Sequence, residues 1–261
     1  MDERRTDRPK PDAVPWLADE PPPAIRAAPP DPLAPIDPNA PVSGHVPPPE
    51  PKISVTELSA HDWTAAEPNL YPLLRPLGTV GIELATIEPA ALAAEGLKPH
   101  AQQLVDPGPA DLAIVYAIAS GGFDVIVNAG HLLSWGVGPV EVRAAAFRNL
   151  AAWSATADWT VEESGVQRLL SSDSGDGWDA SRILLPEVRE LIAREVGATG
   201  GRVLVGLPER HLLVAGSLMP DDPEFARLFG EFIVEHSGSA DEPIDRRVFE
   251  LVGGELVPFV R

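Results

Sequence analysis

The chain has no cysteine among its 261 residues. Disulfide bonds, thiolate nucleophiles, zinc fingers and iron–sulfur ligation are therefore excluded. Long apolar runs are missing too, since no stretch approaches the roughly 18 apolar residues that a membrane-spanning helix needs. The charged start, M-D-E-R-R-T-D-R-P-K, is not followed by the apolar region of a signal peptide. These features predict a soluble, cytoplasmic protein.

Positive charge is scarce, with 20 Lys and Arg against 39 Asp and Glu and a formal net charge of −19. Most of the imbalance falls after residue 52. An acidic surface disfavours contact with the phosphate backbone and with anionic lipid. We therefore expect no nucleic acid and no membrane among the partners. The charge either serves solubility or biases binding towards basic proteins and peptides.

Recognisable catalytic and cofactor motifs are absent from the sequence. It has no G-x-S-x-G nucleophile elbow, no phosphate loop and no G-x-G-x-x-G after a predicted strand. The six histidines are widely spread along the chain. Accordingly, the sequence predicts no catalytic residue, no cofactor and no metal site.

Proline is concentrated at the start, where 16 of the 30 prolines fall within the first 51 residues. Such a segment cannot bury enough apolar surface to offset the ordering entropy of its backbone. We predict a disordered proline-rich tail over residues 1–52 and a single domain over 53–261. Trp16 and Leu17 stand out in this tail. They are either exposed by accident or a short anchor that docks on a partner or on the domain.

The domain is predicted to be α+β, with repeated β-hairpin and helix units that form a mainly antiparallel sheet covered by helices. Pro72 would place the strand 70–75 at a sheet edge. Hairpins are predicted at 111–127, at 166 to about 184, at 202–215 and at 247–260, the last through Gly253-Gly254 in a type I′ turn.

Helices are predicted after Gly138, from Leu185 and from Pro223, each with a proline in its first turn. The first has an apolar stripe of Val140, Ala144, Phe147 and Ala151. The third is predicted to end at Gly238 and to turn five large side chains inward: Phe225, Leu228, Phe229, Phe232 and Ile233.

Several segments resemble the YtpQ-like family of uncharacterised bacterial proteins over about residues 70–261. The resemblance is carried by Y-P-L-L-R (71–75), R-A-A-A-F-R-N-L (143–150), V-G-L-P-E-R-H-L-L-V-A (205–215) and, most specifically, D-G-W-D-A-S-R-I-L (176–184). It implies an intracellular α+β protein of unknown activity. The proline-rich tail departs from the family, which begins with a helix and paired strands, and the family supplies no catalytic residue to carry over.

The densest polar cluster lies in the same central stretch. Asp173, Asp176 and Asp179 surround two glycines and could coordinate a hard cation, although their spacing is not that of an EF-hand. The simpler interpretation is a turn rich in Asp and Gly. Asp179 and Arg182 would form a local ion pair if they share a face, unless a ligand carboxylate or phosphate takes the place of the aspartate.

Two function classes follow from these patterns. The first is a non-catalytic binding or adaptor module that holds a protein or peptide partner, with the tail as tether or docking segment. The second is a hydrolase or small-ligand-binding protein that uses Asp176, Asp179 and Arg182, with His211 nearby at the mouth of a hairpin. A deep pocket at these residues would favour the second, and a shallow apolar face beside an exposed strand edge would favour the first.

Overall fold

Two mainly antiparallel sheets and six α-helices make up the part of the chain that the computed structural model describes, which is residues 61–95, 102–120, 123–197 and 200–260. The predicted α+β class is confirmed. Trp16, Leu17 and the predicted tail lie outside the described residues. Within the described ranges, no helix combines the length and the apolarity that a membrane crossing requires.

The first sheet is organised around its fourth strand. The strands are β1 (Leu70–Arg75), β2 (Ile82–Glu83), β3 (Leu104–Pro107), β4 (Ala113–Ala119) and β5 (Asp124–Ile126). β4 pairs antiparallel with β1 on one side and with β3 and β5 on the other. β2 adds to β3 in parallel. The predicted hairpin of β4 and β5 is confirmed, and β1 is an edge strand, as Pro72 indicates.

The second sheet is wholly antiparallel, in the order β11-β10-β8-β9-β7-β6. Its strands are β6 (Thr160–Ser164), β7 (Gln167–Ser172), β8 (Arg202–Glu209), β9 (Leu212–Leu218), β10 (Val248–Val252) and β11 (Glu255–Pro258). Gly253 and Gly254, between the last two strands, have φ of 59° and 86°. Positive φ at both central residues is what the predicted type I′ turn requires.

The helices cover the sheets through their apolar faces. They are α1 (Trp63–Ala66), α2 (Pro89–Glu95), α3 (Ala129–Trp135), α4 (Pro139–Ser154), α5 (Pro186–Gly197) and α6 (Pro223–Ser239). The second sheet lies between two of them. Alternate residues such as Val205 and Ala215 belong to the same core as Ile192 of α5, whereas Leu204 and Val214 pack in the α6 cluster with Phe229.

The central hairpin differs from the prediction. Strands β6 and β7 are joined at Gly165, so the hairpin covers 160–172 and not 166–184. Residues 173–179 are a loop, and Ala180–Leu184 form a 3₁₀ turn that leads into α5. The prediction that the hairpin extends to about residue 184 is therefore wrong.

Two helix predictions also need correction. The buried side of α4 is Val142, Ala145, Ala146 and Leu150. Of the predicted stripe, Phe147 and Ala151 are partly buried against the core, whereas Ala144 is exposed and Val140 is 71% exposed. In α6, Phe229 and Ile233 are buried, whereas Leu228 is 51% exposed. The helix continues past Gly238 to Ser239. Asp222 is the N-cap of α6, because its Oδ1 accepts a hydrogen bond of 2.9 Å from the Phe225 amide.

Candidate functional site

The loop and 3₁₀ turn between β7 and α5, residues 173–184, hold the central polar cluster. Asp176 Oδ1 accepts a hydrogen bond of 2.9 Å from the Trp178 amide, which closes a local Asx turn. Gly177 has a φ of 84°, a conformation that other residues rarely adopt. The Asp and Gly content is therefore explained by the shape of the loop itself.

Arg182 lies at the centre of the cluster and is 1% exposed. Its Nη1 donates to Asp179 Oδ1 at 2.5 Å and to Ser172 Oγ at 3.1 Å, and its Nη2 pairs with the Asp176 carboxylate. The structure thus brings together three of the four predicted site residues. The local Asp179–Arg182 ion pair that the spacing suggested is present.

Asp179 is as fully buried as Arg182, with 0% of its side chain exposed. Its Oδ1 also accepts hydrogen bonds from Ser172 Oγ at 2.6 Å and from the Ser174 amide at 3.1 Å. Burying a carboxylate is tolerated only when it is paired and hydrogen-bonded in this way. Two buried atoms, Asp179 Oδ2 and Arg182 Nε, have no partner among the described residues.

Two surface depressions in the described part of the chain lie away from Arg182. One surface depression of about 380 Å³ is lined by Val80, Gly81 and Gln103 among others, and another of about 460 Å³ lies beside Arg202 and Phe259. Neither is lined by a cluster residue. Among the described residues, no group of three His, Asp or Glu side chains is placed to hold a metal ion. Ligand binding at Asp176, Asp179 and Arg182 stays a prediction.

His211 lies apart from these residues, exposed in the turn between β8 and β9. The adjacent Arg210, rather than His211, is hydrogen-bonded to the 173–184 segment and to β1. Arg210 Nε donates to the Gly177 carbonyl at 2.8 Å, and its Nη2 donates to the Tyr71 hydroxyl at 3.0 Å. A Cβ on Gly177 would lie 2.8 Å from Arg210 Nη2, so a larger residue here would require the guanidinium to shift.

Arg210 extends this network to the first sheet. Its Nη1 lies 2.5 Å from Asp124 Oδ2 and donates to Glu242 Oε2 at 3.1 Å. Burial, reinforced by a hydrogen bond to Asp124, raises the pKa of the Tyr71 hydroxyl well above its ordinary value. Sequence reasoning missed Arg210 because no local pattern links residues that lie 139 positions apart.

Aromatic rings cover Tyr71 on the same side of the sheet. Trp153 and Trp178 stack with ring centroids 4.1 Å apart, and Trp178 meets Tyr71 edge-on at 5.5 Å. Both tryptophans are partly buried against Tyr71 and Val115. The arrangement joins α4 and the 173–184 segment to the first sheet by packing.

The edge strand β1 is closed by side chains. Ser181 Oγ accepts a hydrogen bond of 3.0 Å from the Leu74 amide, and Asn149 Nδ2 donates to the Leu70 carbonyl at 2.8 Å. Pro72, between them, has no amide proton. On the free side of β1, the Leu74 amide and the Leu70 carbonyl are therefore occupied and one amide proton is absent, which hinders pairing of the strand with another chain.

The edge strand β6, unlike β1, is not buried: all five residues of Thr160–Ser164 are exposed. β6 ends the second sheet, and among the described strands only β7 pairs with it. Pro258 blunts the other end of that sheet, in β11. β6 contains neither a proline nor a bulge, so it is an open edge.

The backbone groups at this open edge follow from the hairpin. Ser164 and Gln167 flank a two-residue loop, so they exchange hydrogen bonds, and pairing alternates along the strand. The amides and carbonyls of Val161 and Glu163 therefore point away from β7. In agreement, the amide of Arg168, the partner of Glu163, donates instead to Ser217 Oγ on the β9 side at 2.8 Å.

Comparison of the chain with protein-family models, with curated protein sequences and with solved structures found no match. The resemblance to the YtpQ-like family therefore stays a prediction.

Proposed function

We propose that the protein is a non-catalytic cytoplasmic binding module, which holds an extended segment of a partner protein by adding it as a strand beside β6. One observation carries this proposal: β6 is an open edge without a proline, whereas the edge strands β1 and β11 each contain one. An exposed strand edge is the template for strand addition, in which main-chain hydrogen bonds supply affinity and side chains supply selectivity.

The open edge offers two amides and two carbonyls, those of Val161 and Glu163. Each hydrogen bond made with a partner strand contributes about 0.5–1.5 kcal/mol net. Val161 is also 47% exposed, so an added strand can bury its side chain as well. Together these contacts suit a reversible complex with a short peptide segment.

The second function class, a hydrolase or small-ligand-binding protein, has less support. Asp179 and Arg182 are buried and bonded to each other, and the exposed His211 lies outside their cluster. The hydrogen bonds of the cluster hold residues 172–182 together and serve packing without any ligand.

The tail is proposed as a second contact in this scheme. Trp16 is the only aromatic residue among residues 1–52 and is followed directly by Leu17, so the pair suits a short docking motif. Comparison of the full chain with a variant that lacks residues 1–52 separates the contribution of this motif from that of β6.

The test compares Val161→Pro with Val161→Thr. Proline removes an outward amide proton and is tolerated on an edge strand when that proton faces solvent. Threonine keeps the proton and the branched shape. Melting curves of both variants first establish that they fold like the wild type. Proteins that co-purify from the native cells with the wild type and Val161→Thr should be lost with Val161→Pro.

Equal recovery of the same proteins with all three chains would show that β6 is not the binding site. Loss with the tail-deleted chain alone would assign the binding to the tail instead.

A further inference from the structure

The two faces of β6 carry different chemistry, and this difference specifies the partner that the proposed strand addition would accept. Glu162 lies opposite Leu169, which packs in the α6 cluster. Val161 lies opposite Leu170, which belongs to the α5 side of the sheet. A strand added beside β6 would therefore place side chains of one face next to Glu162, and side chains of the other face next to Val161 and next to Glu163, which is paired with Arg168.

The acidic charge on this edge is only partly compensated. Glu163 pairs with Arg168 of the neighbouring strand. Glu162 and the exposed Asp158, by contrast, have no cationic partner among the described residues. The edge thus presents unpaired negative charge on a chain of formal net charge −19.

In an antiparallel pair between β6 and an added strand, the side chain opposite Glu162 would lie closer to β6 than the side chains opposite Val161 and Glu163. Since Val161 and Glu163 would exchange hydrogen bonds with the added strand, Glu162 would occupy a non-hydrogen-bonded pair. In such pairs the Cα atoms approach to about 4.5 Å and the side chains lie closer than at the hydrogen-bonded positions. Opposite charges at this position stabilise the pair, and like charges destabilise it.

Resting on the proposed strand addition, we infer that the partner segment is a basic strand, with Lys or Arg opposite Glu162 and an aliphatic residue opposite Val161. A second copy of this chain fits less well. Pairing of two β6 strands centred on Glu162 sets two carboxylates against each other, and both molecules carry the same large negative charge. The unpaired charge on the edge therefore selects a basic segment of another protein.

The experiment selects binders from a random peptide library displayed on phage, with the full-length wild-type chain as target and Val161→Pro as the counter-target. Peptides that bind the wild type and not Val161→Pro use the open edge. We expect these peptides to be enriched in Lys and Arg at positions that alternate with aliphatic residues.

Reversing the charge at residue 162 then tests whether the basic residue of a selected peptide lies opposite Glu162. Glu162→Lys should weaken binding of a selected basic peptide about two- to fivefold for each opposed pair. A peptide with Glu in place of the critical Lys should bind Glu162→Lys better than it binds the wild type. Glu255→Lys is the matched control, because it makes the same charge change at an exposed position at the other end of the sheet. It should leave the affinity nearly unchanged.

The outcomes separate this inference from the proposed function. Edge-dependent peptides without basic enrichment, or equal effects of Glu162→Lys and Glu255→Lys, would overturn the inference and leave strand addition standing. A selection with no peptide sensitive to Val161→Pro would overturn both. A wild-type dimer that Val161→Pro dissociates would identify a second copy as the occupant and overturn the basic-partner assignment.

Discussion

Replacing Arg182 by methionine removes the cation from the centre of the polar cluster while keeping most of the side-chain volume. Asp179 would keep its hydrogen bonds from Ser172 and Ser174 but would remain a carboxylate at 0% exposure without a countercharge. Asp176 is 28% exposed and remains partly hydrated. The cost therefore falls mainly on Asp179. Breaking one partner of a buried ion pair costs about 3–5 kcal/mol, a large share of the 5–15 kcal/mol that stabilises a typical domain.

Urea denaturation followed by tryptophan fluorescence measures this cost. Arg148→Met is the matched control, because Arg148 pairs with Glu67 on the surface, where both side chains are at least 40% exposed. That variant should lose less than about 1 kcal/mol. The double variant Asp179→Asn/Arg182→Met should be less destabilised than the sum of its single variants, since the uncompensated charge is gone. If Arg182→Met loses less than about 1 kcal/mol, the cluster is not structural and the ligand-binding interpretation gains support.

Two further predictions concern buried aromatic residues. Tyr71 and Tyr116 are the only tyrosines in the chain, and burial raises the pKa of both hydroxyls. The stability that they contribute should therefore be present below about pH 10 and be lost as the pH rises beyond the pKa of the unfolded chain. Phenolate absorbance should stay absent from the folded protein above that pH and appear on addition of urea; appearance near pH 10 without urea would contradict the burial. In α6, Phe229→Ala should cost about 3–5 kcal/mol and Leu228→Ala under about 0.5 kcal/mol by urea denaturation, and similar losses would contradict the assigned buried face.

The parts of the fold that local chemistry determines were predictable. Two consecutive glycines, Gly253 and Gly254, favour a tight turn, and an aspartate directly before Pro223 is typical of a helix start. The Asp179–Arg182 pair was predictable for the same reason, since both residues lie within one helical turn. These features depend on neighbours in sequence, which the sequence shows directly.

Features that depend on burial were missed. β6 is exposed along its whole length, so its sequence T-V-E-E-S has no apolar alternation to reveal a strand, and the Asp- and Gly-rich loop at 173–177 gave the stronger turn signal. In α4, alanines occur on several sides of the helix, and only the sheet decides which side is buried. The predicted stripe of α6 was likewise wider than the surface that the sheet covers, which left Leu228 exposed.

Closure of β1 has a consequence for the order in which the chain acquires its structure during synthesis. The Leu74 amide donates a hydrogen bond to Ser181, which lies 107 residues later in the chain. The Tyr71 hydroxyl accepts a hydrogen bond from Arg210, which lies 139 residues later. Translation delivers β1 long before either residue. A nascent or truncated chain that ends before Ser181 therefore carries a strand whose free side lacks one of its caps and can pair with another molecule. The Leu74 amide at the edge of the first sheet is therefore covered only once Ser181, in the turn that precedes α5, has been synthesised.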